Sequence, residues 1–87
     1  MIIAKVVGSV VATKKDDSLI GCKFMIIQPI DSNEQAVGIE RVAVDYTGAG
    51  IGEIVLISQG SAVRIGENRH GKAIDLAIVG IVDEVNK

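Results

Sequence analysis

The sequence predicts an all-β domain, a small barrel of about five strands, and three observations carry that reading. The apolar content is almost entirely Val, Ile, Leu and Ala, with one Phe (Phe24), one Tyr (Tyr46) and no Trp. Branched aliphatic side chains of this kind suit a pleated, half-buried surface. The apolar runs are short and closely spaced, separated by polar or glycine-bearing segments, and no long stretch repeats with helical period. Finally, 87 residues make one domain (1–87), yet 48% of them are hydrophobic. A chain this size buries only about 60–65% of the surface its unfolded form exposes. It therefore carries more apolar material than one small monomer hides, and association with other subunits is the usual outlet.

The first strand is expected over residues 2–13. Its even positions, Ile2, Ala4, Val6, Gly8, Val10 and Ala12, are all apolar or small and suit a core. Its odd positions mix apolar with polar: Ile3, Lys5, Val7, Ser9, Val11 and Thr13. A strand this long in a small domain is expected to bend at Gly8. Residues 14–18 (KKDDS) form a polar turn. Residues 23–28 (KFMIIQ) make the second strand, stopped by Pro29, and residues 31–35 (DSNEQ) a loop.

Residues 41–46 make the third strand, with Val42, Val44 and Tyr46 on one face and Arg41, Ala43 and Asp45 on the other. A loop follows with glycine at Gly48, Gly50 and Gly52, a spacing that implies positive φ or close backbone approach. Residues 53–58 make the fourth strand, and residues 60–64 are long enough for one helical turn. Residues 66–72 (GENRHGK) read as a charged loop. Residues 76–85 (LAIVGIVDEV) make the last strand, apolar on both faces until Asp83, so either central or pressed against a neighbour. Five strands and one short helical turn fit a Greek-key barrel of OB-like type, with a five-stranded sandwich as the alternative.

Charge and composition exclude several function classes. A net charge of −2 and a pI near 5.2 leave no basic footprint for nucleic acid. Cys22 is the single cysteine, so no disulfide framework exists within the chain and a reducing compartment is expected. The first residues lack the charged and cleavage regions of a signal peptide, and no apolar run approaches the roughly 18 residues of a membrane span. A soluble protein of the cytoplasm is the expectation.

No catalytic constellation emerges. Residues 48–52 (GAGIG) superficially suggest dinucleotide binding, but that chemistry needs the loop to open a helix, and here a strand follows. Residues 66–73 (GENRHGKA) fall one residue short of a phosphate-binding P-loop, because Ala73 has no hydroxyl for Mg²⁺. His70 is the only histidine and has no partner of ligand type near it. Asp45 and Glu53 flank the glycine loop. They are expected to accept hydrogen bonds from its amides, or to pair with Arg41 or Arg64, rather than to do acid–base work. Arg64 and Asp75 stand beside apolar strands, where an interface could use an Arg–carboxylate pair to set its register. No catalytic residue, cofactor or metal is expected.

The stretch Val44-Asp45-Tyr46-Thr47-Gly48-Ala49-Gly50-Ile51-Gly52-Glu53-Ile54-Val55-Leu56 resembles the signature loop of the EutN/CcmL family, the vertex proteins of bacterial microcompartment shells. Residues 5–13, 18–29 and 74–83 resemble that family's opening, second and closing strands, so the likeness spans essentially the whole chain. Two departures stand out: Tyr46 occupies a place expected for a small hydroxylated residue, and residues 60–64 (GSAVR) vary the usual turn. The resemblance implies a five-stranded barrel that assembles into a homopentameric ring. Such rings close the five-fold vertices of a polyhedral shell of carboxysome or metabolosome type, beside hexameric facet proteins and without catalysis. It places Gly48, Ala49 and Gly50 as candidates for the loop at the ring's axis or pore. The candidate subunit interface is the odd face of the first strand (Ile3, Val7, Val11), one face of the last (Val79, Ile81), and Arg64. The competing function is an OB-type barrel that binds single-stranded nucleic acid or another ligand. That class needs a basic groove and aromatic platforms, and only Phe24 and Tyr46 are available.

Overall fold

Strand β1 (Ile2–Val10) is the longest of five and forms one side of a closed barrel. The others are β2 (Lys23–Pro29), β3 (Arg41–Asp45), β4 (Ile54–Gln59) and β5 (Leu76–Ile81). The computed structural model describes residues 1–13, 17, 21–60 and 75–86. Around the barrel the order is β1-β2-β3-β5-β4, and β4 returns to pair with β1. Every pairing is antiparallel except β3 with β5, which is parallel and short: Val44 opposite Ala77 and Asp45 opposite Ile78. Closure leaves no free sheet edge running the length of the domain.

The interior follows from period-two alternation. Ala4 and Val6 of β1, Met25 and Ile27 of β2, Ala43 of β3, Val55 and Ile57 of β4, and Leu76 and Ile78 of β5 all point inward and are buried. Large residues (Ile27, Ile57, Ile78) sit among small ones (Ala4, Ala43, Ala49), as the narrow bore of a small barrel requires. A second cluster lies outside the barrel wall. There Val44 and Ala77 are buried, with Cys22, Phe24, Tyr46 and Val79 packed against them. This outer layer explains why β5 is apolar on both faces: it lies between β3 and β4 and is covered on each side.

The even face of β1 is the core face, as its alternation predicts. The bend predicted at Gly8 coincides with a β-bulge. The register with β2 shifts between Val6 and Gly8, which leaves Val7 as the extra residue. Some boundaries differ from the sequence reading. β1 stops at Val10, three residues early, and Val11 is 94% exposed. β5 stops at Ile81 rather than continuing to Val85, because the Val82 amide donates to the Ile54 carbonyl and pairing ends there. Glu53 belongs to the loop before β4. The two faces of β3 divide as the alternation predicts: Ala43 faces the interior, while on the other face Val44 and Tyr46 serve the outer cluster and Val42 is half exposed. The short helical turn expected over residues 60–64 lies outside the described residues except for Gly60, as does the charged loop over residues 66–72 with His70.

Candidate functional site

The glycine loop begins where β3 ends. Asp45, the last residue of β3, has a fully buried side chain. Its Oδ1 accepts from the Thr47 amide at 2.8 Å, the Thr47 hydroxyl at 3.0 Å and the Gly48 amide at 3.2 Å. This is an Asx-type turn, in which a short carboxylate replaces a backbone acceptor. On the far side, Glu53 Oε1 accepts the Gly50 amide. The Gly52 amide donates to the Val6 carbonyl at 2.8 Å, and the Val6 amide returns to the Glu53 carbonyl at 2.9 Å, which clips the loop onto β1.

The two flanking carboxylates therefore do what the sequence suggested first: they cap loop amides. The alternative pairing needs correction. The partner of Asp45 is Lys23, with Nζ 3.8 Å from Oδ2, and not Arg41. Register decides this, because Lys23 stands directly opposite Asp45 while Arg41 stands opposite Ile27. Arg64 lies outside the described residues.

Of the three candidate axis residues, Gly48 and Gly50 are exposed, but Ala49 is completely buried in the barrel core. The Ala49 side chain anchors the loop and faces no opening. Gly48 and Gly52 have φ of 77° and 94°, a conformation in which a side chain is strained. Gly50 is different. Its φ is not positive, and a Cβ there would meet Glu53 Oε1 at 3.3 Å. The large apolar side chain that this loop does present is Ile51, 68% exposed, which sequence reasoning passed over because it attended to the glycines.

The candidate interface residues do not form one continuous stripe. Ile3 is half-buried on the outer wall opposite Leu56. Val7 sits at the β1 bulge, and Val11 lies beyond the strand. On β5 a second register shift pairs Leu56 with Gly80 and Ile57 with Ile78, so Val79 is the extra residue. Val79 packs into the outer cluster, while Ile81 stands opposite the interior residue Val55 at the barrel's end. Val79 and Ile81 thus do not share a face, because a bulge breaks the alternation that assigned them to one. The segment before β3 also escaped the sequence reading: Val37 is about half exposed and Ile39 is 78% exposed, and Val42 in β3 beside them is half exposed too. Its signal was present in the alternation of Val37 and Ile39 around Gly38.

Comparison with known proteins gives this geometry a family. A family model described as "Ethanolamine utilisation protein EutN/carboxysome" matches residues 1–83. The chain is 45% identical over 86 residues to the carboxysome shell vertex protein CcmL of Synechococcus elongatus, covering 99% of this chain and 87% of the relative. It is 42% identical over 90 residues to the bacterial microcompartment shell vertex protein PduN of Salmonella typhimurium, covering 99% of each. The fold superposes on GrpN, a pentameric microcompartment shell protein from Rhodospirillum rubrum, with a TM-score of 0.91 and 42% identity, covering 100% of this chain and 99% of that one. On a match that runs from the first residue through the last strand, the chain belongs to the EutN/CcmL family.

Proposed function

We propose that this chain is a structural shell protein whose homopentamers close the vertices of a polyhedral bacterial microcompartment, of carboxysome or metabolosome type, in the cytoplasm. The observation that carries the reading is the likeness to the pentameric shell protein GrpN, which covers 100% of this chain and 99% of that one. Two features of the chain itself support it. The segments outside the strands leave large apolar side chains in water, among them Ile39, Ile51 and Val11, and oligomer interfaces are where such surface is usually covered. The carboxylates that flank the conspicuous loop hold its backbone amides. In this reading the protein catalyses nothing and its work is geometric.

Within the ring, residues 48–52 are assigned to the axis, with Gly48 and Gly50 on the exposed side and Ala49 as the anchor. Ile3, Val7, Val11, Val79, Ile81 and Arg64 are the proposed contact set, and hexameric facet proteins are the proposed outer partners. Nothing in the described surface favours the nucleic-acid reading, since the chain is acidic overall. Native mass spectrometry of the purified chain tests the proposal. A dominant five-fold species that survives moderate salt supports it. A monomer at micromolar concentration contradicts it.

A further inference from the structure

Two apolar features of the described surface lie at opposite ends of β2. The first projects. Between β2 and β3, residues 32–40 are all exposed, yet the segment is held in shape. Asp31 Oδ1 accepts the amides of Asn33 at 2.8 Å and Gln35 at 3.0 Å. Ile30 bridges Ala36, the Val37 amide donates to the Pro29 carbonyl at 2.9 Å, and Gln28 Nε2 donates to the Gly38 carbonyl at 3.3 Å. A braced arm therefore carries Ile39 into water, with Val37 and Val42 on either side. Preorganisation of this kind lowers the entropic cost of docking.

The second feature recedes. A groove of about 330 Å³ runs between the end of β1 and the start of β2, with Val10, Val11, Ala12, Phe24 and Lys23 among its walls. Gln28, which holds Gly38 of the arm, stands four strand residues from Phe24 of the groove, about 13 Å at the usual rise per strand residue. The arm is tied to the far end of β2 through Pro29 and Gln28, and none of residues 37–42 lines the groove of its own chain. An arm-to-groove contact between two copies uses a different surface on each, which makes it heterologous, and such contacts propagate head to tail and close into rings when the rotation allows. The charges are complementary as well. Glu40, next to Ile39, is exposed and makes no ion pair with a described residue, while the Lys23 side chain on the groove wall is 57% exposed and only 3.8 Å from Asp45.

We propose that the occupant of this groove is a second copy of this chain: residues 37–42 of one protomer seat against Val10, Val11 and Phe24 of the next, with Ile39 at the centre and Glu40 facing Lys23. The contact rests on the ring reading and specifies how that ring closes. Val11 is shared with the contact set read from the sequence, whereas Ile3 and Val79, already half-buried within the protomer, are not needed.

The test uses Ile39→Asp and Val11→Asp. Both positions are exposed and lie outside the strands, so circular dichroism should match the wild type. By native mass spectrometry each variant alone should self-associate at least about thirtyfold more weakly, as loss of an interface hot spot does. Mixed in equal amounts the two variants should form dimers and stop there, because the mixture supplies one intact arm and one intact groove per pair. Wild-type stoichiometry in both single variants overturns the proposal while leaving the vertex reading intact; a monomeric wild type sinks the vertex reading itself. Glu40→Lys gives a readout that does not depend on the core: the ring should weaken at low salt and recover as salt screens the repulsion from Lys23. An E40K ring as stable as wild type at low salt overturns the seating of Glu40 on Lys23.

Discussion

Replacing Asp45 separates two roles that its side chain combines, loop cap and ion-pair partner, and their sizes differ enough to measure. In Asp45→Ala three hydrogen bonds to one charged oxygen disappear, from Thr47 N, Thr47 Oγ1 and Gly48 N. Bonds to charged groups contribute about 1.5–3 kcal/mol each when isolated. Gly48 is exposed and Thr47 half-buried, so water takes over part of the lost bonding, and the expected net cost is about 2–4 kcal/mol. Asp45→Asn keeps an oxygen in place and loses only the charge, so about half of that remains. Lys23→Ala removes a cation that is more than half exposed and 3.8 Å away, a contact that is screened by water and contributes below about 1 kcal/mol. The assay is urea unfolding of all three variants beside wild type at one protomer concentration, since assembly shifts apparent stability by mass action. Amide exchange at Thr47 and Gly48 locates the effect. If Lys23→Ala costs as much as Asp45→Ala, or if those two amides keep their protection in Asp45→Ala, the cap reasoning is wrong.

Three further perturbations probe other parts of the same argument. Ile57→Ala empties part of the fully buried barrel centre and should lower stability by about 2–5 kcal/mol in the same urea assay. Gly52→Ala forces a side chain onto φ of 94° in open space, so the expected cost is about 1–2 kcal/mol of backbone strain with no packing change. Gly50→Ala brings a Cβ to 3.3 Å from Glu53 Oε1; its cost should shrink when combined with Glu53→Ala, and strict additivity of the two changes in a double-mutant cycle would contradict the steric explanation.

The architecture was legible where period two holds without interruption. The even face of β1, with Ala4 and Val6 at its centre, reads as core in the sequence and is core in the barrel. It was misread where a bulge adds a residue. Val79 and Ile81 are two apart and should share a face, yet the shift beside Leu56 sends one to the outer cluster and the other to the barrel's end. On β3 the division into faces was legible but which face is interior was not: Val42 and Val44 outweigh Ala43 in any count of hydrophobicity, yet the small residue fits the bore. The partner of Asp45 could not be read at all, because strand register, and hence the choice of Lys23 over Arg41, is a property of two segments together.

The glycine loop shows most clearly how residue type and role come apart. Alternating glycines suggested chains packed closely against chains, and each proves to have a local cause within one protomer: a left-handed backbone at Gly48 and Gly52, and a carboxylate lid at Gly50. The amides of Thr47, Gly48, Gly50 and Gly52 all donate within the chain, three to the side-chain carboxylates at the loop's ends and one to β1. Such a loop has little bonding capacity left to remodel, and Ala49 roots it in the core. Wherever copies of this chain bring their loops together, each arrives with its shape already set, and Ile51 is the large side chain it offers. That shape follows from Asp45 and Glu53, whose Oδ1 and Oε1 hold the loop's amides.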